Sequence, residues 1–171
     1  MEKADLVVQE INNVIFLDID EVLCTNRSRE AFRRLEALDP VSCEFLLHLC
    51  KKFKCKIVIH SSWRFIPNGI DMFRQEVSIA CPALLDYIYT GDKECTTTEE
   101  TDRVKSIIEW LIKYAREETI KNYIIIDDLY LTFPPDYKHM AEHFFRIHNP
   151  NIGLDFVDYK KIKEFLEEDE Y

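Results

Sequence analysis

Asp18-Ile19-Asp20 sets two carboxylates two residues apart at the end of an apolar run, and Asp127-Asp128 closes another apolar run in the same way. While the chain stays extended, side chains at i and i+2 leave on one face, so Asp18 and Asp20 can reach one substrate from one side. One can attack and the other can move a proton. A third apolar run ends in Ser61-Ser62, whose hydroxyls can donate to an anion. Four carboxylates in one crevice raise each other's pKa unless a cation offsets the repulsion. All-oxygen ligation with room left for water and substrate oxygens suits Mg²⁺, and an open Mg²⁺ site points to a phosphate ester. Taken singly, Asp18-Ile19-Asp20 also reads as a solvated strand end and Asp127-Asp128 as a turn. Their combination at one edge is what would carry the chemistry.

The chemistry therefore depends on elements that gather distant residues. Asn13-Val14-Ile15-Phe16-Leu17, Lys56-Ile57-Val58-Ile59-His60 and Tyr123-Ile124-Ile125-Ile126 are short apolar runs of the kind buried on both faces of a parallel sheet. Residues 84–89 form a weaker strand candidate and 143–147 a last short one. Between them, residues 40–53, 69–80, 103–116 and about 155–168 carry helical spacing. Asp39 with Pro40 marks the first of these starts, Thr98 or Asp102 the third, and Asp155 with Asp158 the last. Strands alternating with helices predict an α/β fold, a Rossmann-like parallel sheet with helices on both faces. Right-handed crossovers then bring every strand's carboxyl end to one edge, where ligands bind in open sheets. The 171 residues suit a single domain over 1–171, with its core at about 12–168.

Composition removes several alternatives. A formal net charge of −10 repels polyanions, which argues against general nucleic-acid binding. Only three glycines occur, Gly69, Gly91 and Gly153, too far apart to build a P-loop or a dinucleotide fingerprint. No apolar run approaches the ~20 residues that span a bilayer, and the start lacks a signal-peptide pattern, so a cytoplasmic protein without membrane contact is expected. The six cysteines include no C-x-x-C pair and read as reduced core residues.

Residues 14–23, Val-Ile-Phe-Leu-Asp-Ile-Asp-Glu-Val-Leu, resemble the first motif of the haloacid dehalogenase-like (HAD) phosphatase superfamily. Ile57-Val58-Ile59-His60-Ser61 is similar to its second motif and Ile124-Ile125-Ile126-Asp127-Asp128 to its fourth. More narrowly, Ser61-Ser62-Trp63-Arg64, the helix from Arg103 to Trp110-Leu111, and Gly153-Leu154-Asp155 resemble the subgroup named for Swiss army knife RNA-repair systems. The resemblance spans residues 14–165. It implies that Asp18 forms an aspartyl-phosphate and that Asp20 protonates the leaving alcohol and later activates water. It also implies that Ser61 binds a phosphoryl oxygen, and that Mg²⁺ is held by Asp18, the Asp20 carbonyl and Asp127 or Asp128. The third motif requires a Lys or Arg, which Arg103 or Lys105 can supply; Ser62 and Arg64 become candidate substrate contacts. Glu21 stands where the family usually has glycine. Short spacings between motifs leave room for a minimal cap or none. In this superfamily such an open crevice is associated with large substrates or with oligomers that cover each other's sites.

Other features carry weaker readings. His139-Met140-Ala141-Glu142-His143 spells an inverted zinc-peptidase motif, but it needs a helix and a third ligand. Arg27, Arg29, Arg33 and Arg34 form a basic cluster that either recruits a polyanionic or multiply phosphorylated substrate, a macromolecule included, or is a solvated helix face paired with Glu30 and Glu36. Trp63 fits packing better than ligand stacking. Besides the Mg²⁺-dependent phosphohydrolase, two alternatives stand: a turnover-deficient fold relative that binds a phosphorylated partner, and a phosphatase that processes nucleic-acid ends.

Overall fold

In the computed structural model, which describes residues 12–170, four strands form one all-parallel sheet. They are β1 (Asn12–Leu17), β2 (Cys55–Ile59), β3 (Ile120–Asp127) and β4 (Phe144–Arg146), in the order β2-β1-β3-β4. Alternate strand residues enter two separate cores. Ile15, Leu17, Ile57, Ile59, Ile124 and Ile126 face one, and Val14, Phe16, Val58 and Ile125 face the other. Both faces are covered, which is why these strands are apolar at nearly every position.

Among the described residues five α-helices accompany the sheet: α1 (Asn26–Phe32), α2 (Pro40–Phe53), α3 (Gly69–Ala80), α4 (Arg103–Tyr114) and α5 (Phe156–Glu168). The first core takes Leu46 and Leu49 from α2, Phe73 and Val77 from α3, and Ile162 and Leu166 from α5. The second takes Val104, Ile107, Trp110 and Tyr114 from α4. The expected starts are present as hydrogen bonds. Asp39 accepts from the Val41 amide, Asp102 from the Lys105 amide, and Asp155 and Asp158 form a reciprocal capping box. All six cysteines are free, five of them buried.

Two local expectations change. Residues 84–89 are not a strand: Pro82–Tyr87 is a 3₁₀ segment that touches the sheet edge through the single bridge Ile57–Ile88. Pro82 fixes the first turn, and Leu84 and Ile88 bury at helical spacing rather than alternating. The connection after β1 also holds a short helix, α1, capped by a Thr25/Ser28 box and ended by Arg33 at φ 54°. The region between β2 and α4 folds onto the first core through α3, so no separate cap layer forms among the described residues.

Candidate active site

Register and alternation assemble the site. Leu17 is level with Ile59 on one side and Ile126 on the other, so Asp18, His60 and Asp127 follow in line across three strands. The line continues through backbone bonds, the His60 amide to the Leu17 carbonyl at 3.0 Å and the Asp18 amide to the Ile126 carbonyl at 3.0 Å. All three residues share parity with Phe16, Val58 and Ile125, which places them on the α4 side of the sheet. Arg103 opens α4 at that same edge. Its Nη1 lies 2.6 Å from Asp127 Oδ2 and 3.0 Å from Asp18 Oδ2.

The carboxylates differ in their surroundings. Asp18 is 1% exposed, and neither of its oxygens receives a well-oriented hydrogen bond, because the Arg103 contact is a charge contact rather than an aligned one. Burial and then the Asp127 charge push the Asp18 carboxyl well above the usual range, and Arg103 only partly offsets this. Asp127 is fully buried and has the opposite balance. Burial alone would raise it, but the His60 hydrogen bond at 2.9 Å, the Leu129 amide at 3.0 Å and Arg103 hold it well below the ordinary carboxylate value. Asp128 is half-buried, and burial raises it. His60 is driven toward its neutral form by burial, against the pull of Asp127.

Asp20 lies on the turn after β1 and is more open, with a side chain 44% exposed and held by Arg29 at 3.2 Å. The same guanidinium binds Glu21 at 2.9 Å. Glu21 has φ 63°, a left-handed conformation that favours glycine, the residue the resemblance leads one to expect there. The turn is buttressed by Gly153 at φ 71°, where a Cβ would sit 2.3 Å from the Val22 carbonyl oxygen. The next residue, Leu154, donates its amide to that same carbonyl at 2.8 Å.

The remaining candidates divide. Ser61 is buried at the β2 tip, and its Oγ accepts the Trp63 amide at 3.2 Å, leaving its own O–H to donate. Ser62 is exposed at the start of the 3₁₀ turn Ser62–Phe65. Arg64 is turned into the protein and spends four of its five N–H groups on the carbonyls of His60, Ser61, Thr97 and Glu100. It stitches the β2 tip to the 96–102 loop. Lys105 is exposed on α4, away from the group that Arg103 joins. Trp63 packs edge-on against Phe73. The basic cluster is largely neutralised, with Arg27 on Asp39, Arg29 on Asp20 and Glu21, and Arg34 bidentate on Glu76. His139 and His143 do not converge: Pro135–His143 is a kinked 3₁₀ segment, His139 is exposed, and His143 donates to the Tyr123 carbonyl and stacks on its ring. His60 is the site residue that motif reading passed over; its signal was an imidazole ending an otherwise apolar strand.

Ligand oxygens of Asp18, Asp127 and Asp128 lie within 4.8 Å of one another, the one such group among the described residues. Unsatisfied buried oxygens on Asp18, together with an all-carboxylate donor set, fit a hard divalent cation such as Mg²⁺. A parallel α/β sheet with a metal-competent acidic cluster at its carboxyl edge agrees with a HAD-like fold. A family model described as the HAD domain in Swiss Army Knife RNA repair proteins matches residues 14–158, and the chain belongs to that family. No curated protein and no solved structure matches the chain significantly.

Proposed function

We propose that this protein is a Mg²⁺-dependent phosphohydrolase that cleaves a phosphate monoester through an aspartyl-phosphate on Asp18. The observation that carries this reading is the buried Asp18 carboxylate, free of aligned donors, beside Arg103 and two further carboxylates. Asp18, Asp127, Asp128 and the Asp20 carbonyl would hold the ion. Bound there, Mg²⁺ neutralises charge so that a carboxylate and a phosphate can approach.

An Asp18 oxygen attacks phosphorus and the bond to the ester oxygen breaks. Asp20 gives its proton to the departing alkoxide. Water then attacks the aspartyl-phosphate, Asp20 takes its proton, and phosphate leaves with Asp18 restored. Arg103 and the Ser61 hydroxyl stabilise the phosphoryl oxygens, where positive charge and directed donors act on developing charge. The substrate is a phosphorylated molecule that reaches an open crevice. The paired arginines give no net basic landing surface, so a long polyanion is the weaker candidate within this reading. No helix among the described residues is long and apolar enough to cross a membrane; that the protein acts in the cytoplasm belongs to this reading.

The test is turnover of p-nitrophenyl phosphate and a panel of phosphate esters with Mg²⁺ or EDTA, for wild type and Asp18→Asn. Activity that needs Mg²⁺ and vanishes in the variant is expected. Unchanged turnover by Asp18→Asn would eliminate the mechanism, and binding of phosphorylated ligands without any turnover would favour a binding protein on the same fold.

A further inference from the structure

His60 is the one group in the carboxyl-edge cluster to which the phosphohydrolase reading gives no task. It is fully buried, its amide is bound to the Leu17 carbonyl and its own carbonyl to Arg64, so the ring has little freedom. Its Nε2 lies 2.9 Å from Asp127 Oδ2. A carboxylate only accepts, so Nε2 carries the hydrogen and donates. The other ring nitrogen, Nδ1, is buried without a partner. An unsatisfied buried nitrogen costs stability, and a leucine would be cheaper at the tip of an apolar strand. What the imidazole provides in exchange is the bond to Asp127.

That bond completes a set. Asp127 Oδ2 receives His60 and Arg103, and Oδ1 receives the Leu129 amide. Three donors from β2, α4 and the turn after β3 fix the carboxylate plane in all directions, whereas Asp18 has no aligned donor. Arg103 cannot do this alone, because its Nη1 is shared between Asp127 and Asp18.

We infer that His60 is a positioning residue for the metal site: it holds the Asp127 carboxylate in the orientation from which a divalent cation is bound. The inference rests on the metal reading above. Removing the donor lets Asp127 follow Arg103 and lowers metal affinity at least about tenfold, the usual scale for partners of metal ligands.

The experiment is calorimetric titration of the metal-free full chain with Mn²⁺ as the probe ion, for wild type, His60→Leu, His60→Asn and His60→Gln. Leu removes the unsatisfied nitrogen along with the donor, which offsets part of the cost of leaving Asp127 with two donors, so its thermal midpoint in EDTA should fall less than that of Asp127→Asn. Asn is polar but too short to reach Asp127, and supplies a second donor-free variant should Leu fold poorly. Gln carries an N–H at about the reach of Nε2. Weakened Mn²⁺ binding in Leu and Asn, with Gln recovering at least half of the loss on a logarithmic scale, supports the role. Wild-type affinity in Leu or Asn overturns it, and so does failure of Gln to recover affinity, since packing alone would then be responsible. Absence of Mn²⁺ binding in the wild type instead overturns the metal reading on which the inference stands.

Discussion

Arg103 stands 3.0 Å from Asp18, although one begins α4 and the other follows β1, with α1, α2, β2 and α3 between them in the chain. The contact favours Arg103 over Lys105 for the positive charge beside the proposed nucleophile, because Lys105 is exposed on the outer part of α4. Removing a positioned donor from a charge-developing site costs about 10²–10³-fold in rate. Arg103→Met is expected to lower kcat/KM by that amount, Arg103→Lys by less, and Lys105→Met to leave it near wild type. Steady-state kinetics on a phosphate ester checks all three. A collapse in Lys105→Met with activity intact in Arg103→Met would reverse the assignment.

Metal removal should separate Asp127 from Asp128. An ion present at about 100 times its Kd stabilises the folded state by about 2.7 kcal/mol, so Mg²⁺ should raise the thermal midpoint of the wild type and EDTA should abolish the rise. Asp128 is half-buried, and its loss should remove the Mg²⁺-dependent rise in Asp128→Asn while leaving the EDTA midpoint nearly unchanged. Asp127 is the acceptor for His60, Arg103 and the Leu129 amide, and Asp127→Asn should lower the EDTA midpoint itself. Scanning fluorimetry with and without Mg²⁺ distinguishes the two patterns.

Arg64 should behave as a structural residue. Its guanidinium satisfies four backbone carbonyls across the β2 tip and the 96–102 loop. Buried carbonyls left without donors cost about 1–3 kcal/mol each where water cannot replace them. Arg64→Met is expected to destabilise the fold by about 3 kcal/mol, read from urea unfolding. A fully stable Arg64→Met with a large increase in KM would make it a substrate contact instead.

Asp158 gives the clearest pH dependence. It accepts the His148 amide at 2.9 Å and the Asp155 amide at 3.3 Å, and burial pushes its carboxyl up to about 6. An acid whose folded pKa exceeds its unfolded value, about 4, ionises first in the unfolded chain. Folding stability is therefore lost as pH rises from about 4 through 6. Relative to Asp158→Asn, the wild type should be weaker at pH 7 than at pH 4 by on the order of 2 kcal/mol. Urea midpoints of both proteins at the two pH values test this; a difference that does not change with pH would show that Asp158 is charged throughout.

Periodicity and capping residues determined much of this molecule. Apolar runs of three or four residues, closed by acid in β1 and β3 and by His60 and serine in β2, marked these strands, since a strand buried on both faces stays apolar until it meets solvent. Asp39-Pro40, Asp102 and Asp155 with Asp158 marked helix starts because their side chains satisfy amides that lie only two or three residues away. Such bonds are local and leave a local signature. Residues 84–89 are ambiguous in sequence because five apolar side chains in six positions satisfy a strand and a 3₁₀ turn equally, and only the edge of β2 and Pro82 settle which forms.

The roles of individual side chains were decided by tertiary structure. Arg64 and Arg103 are the same residue type beside similar motifs, yet one faces carbonyls and the other faces Asp18. His60 was one more residue at the end of a strand until the alignment of Leu17 with Ile59 and Ile126 put it beside Asp127. Register between strands far apart in sequence depends on how whole faces pack, and a slip of one residue would turn all three side chains to the other core. The sequence by itself determined which residues could do phosphate chemistry; the sheet's register determined which of them meet.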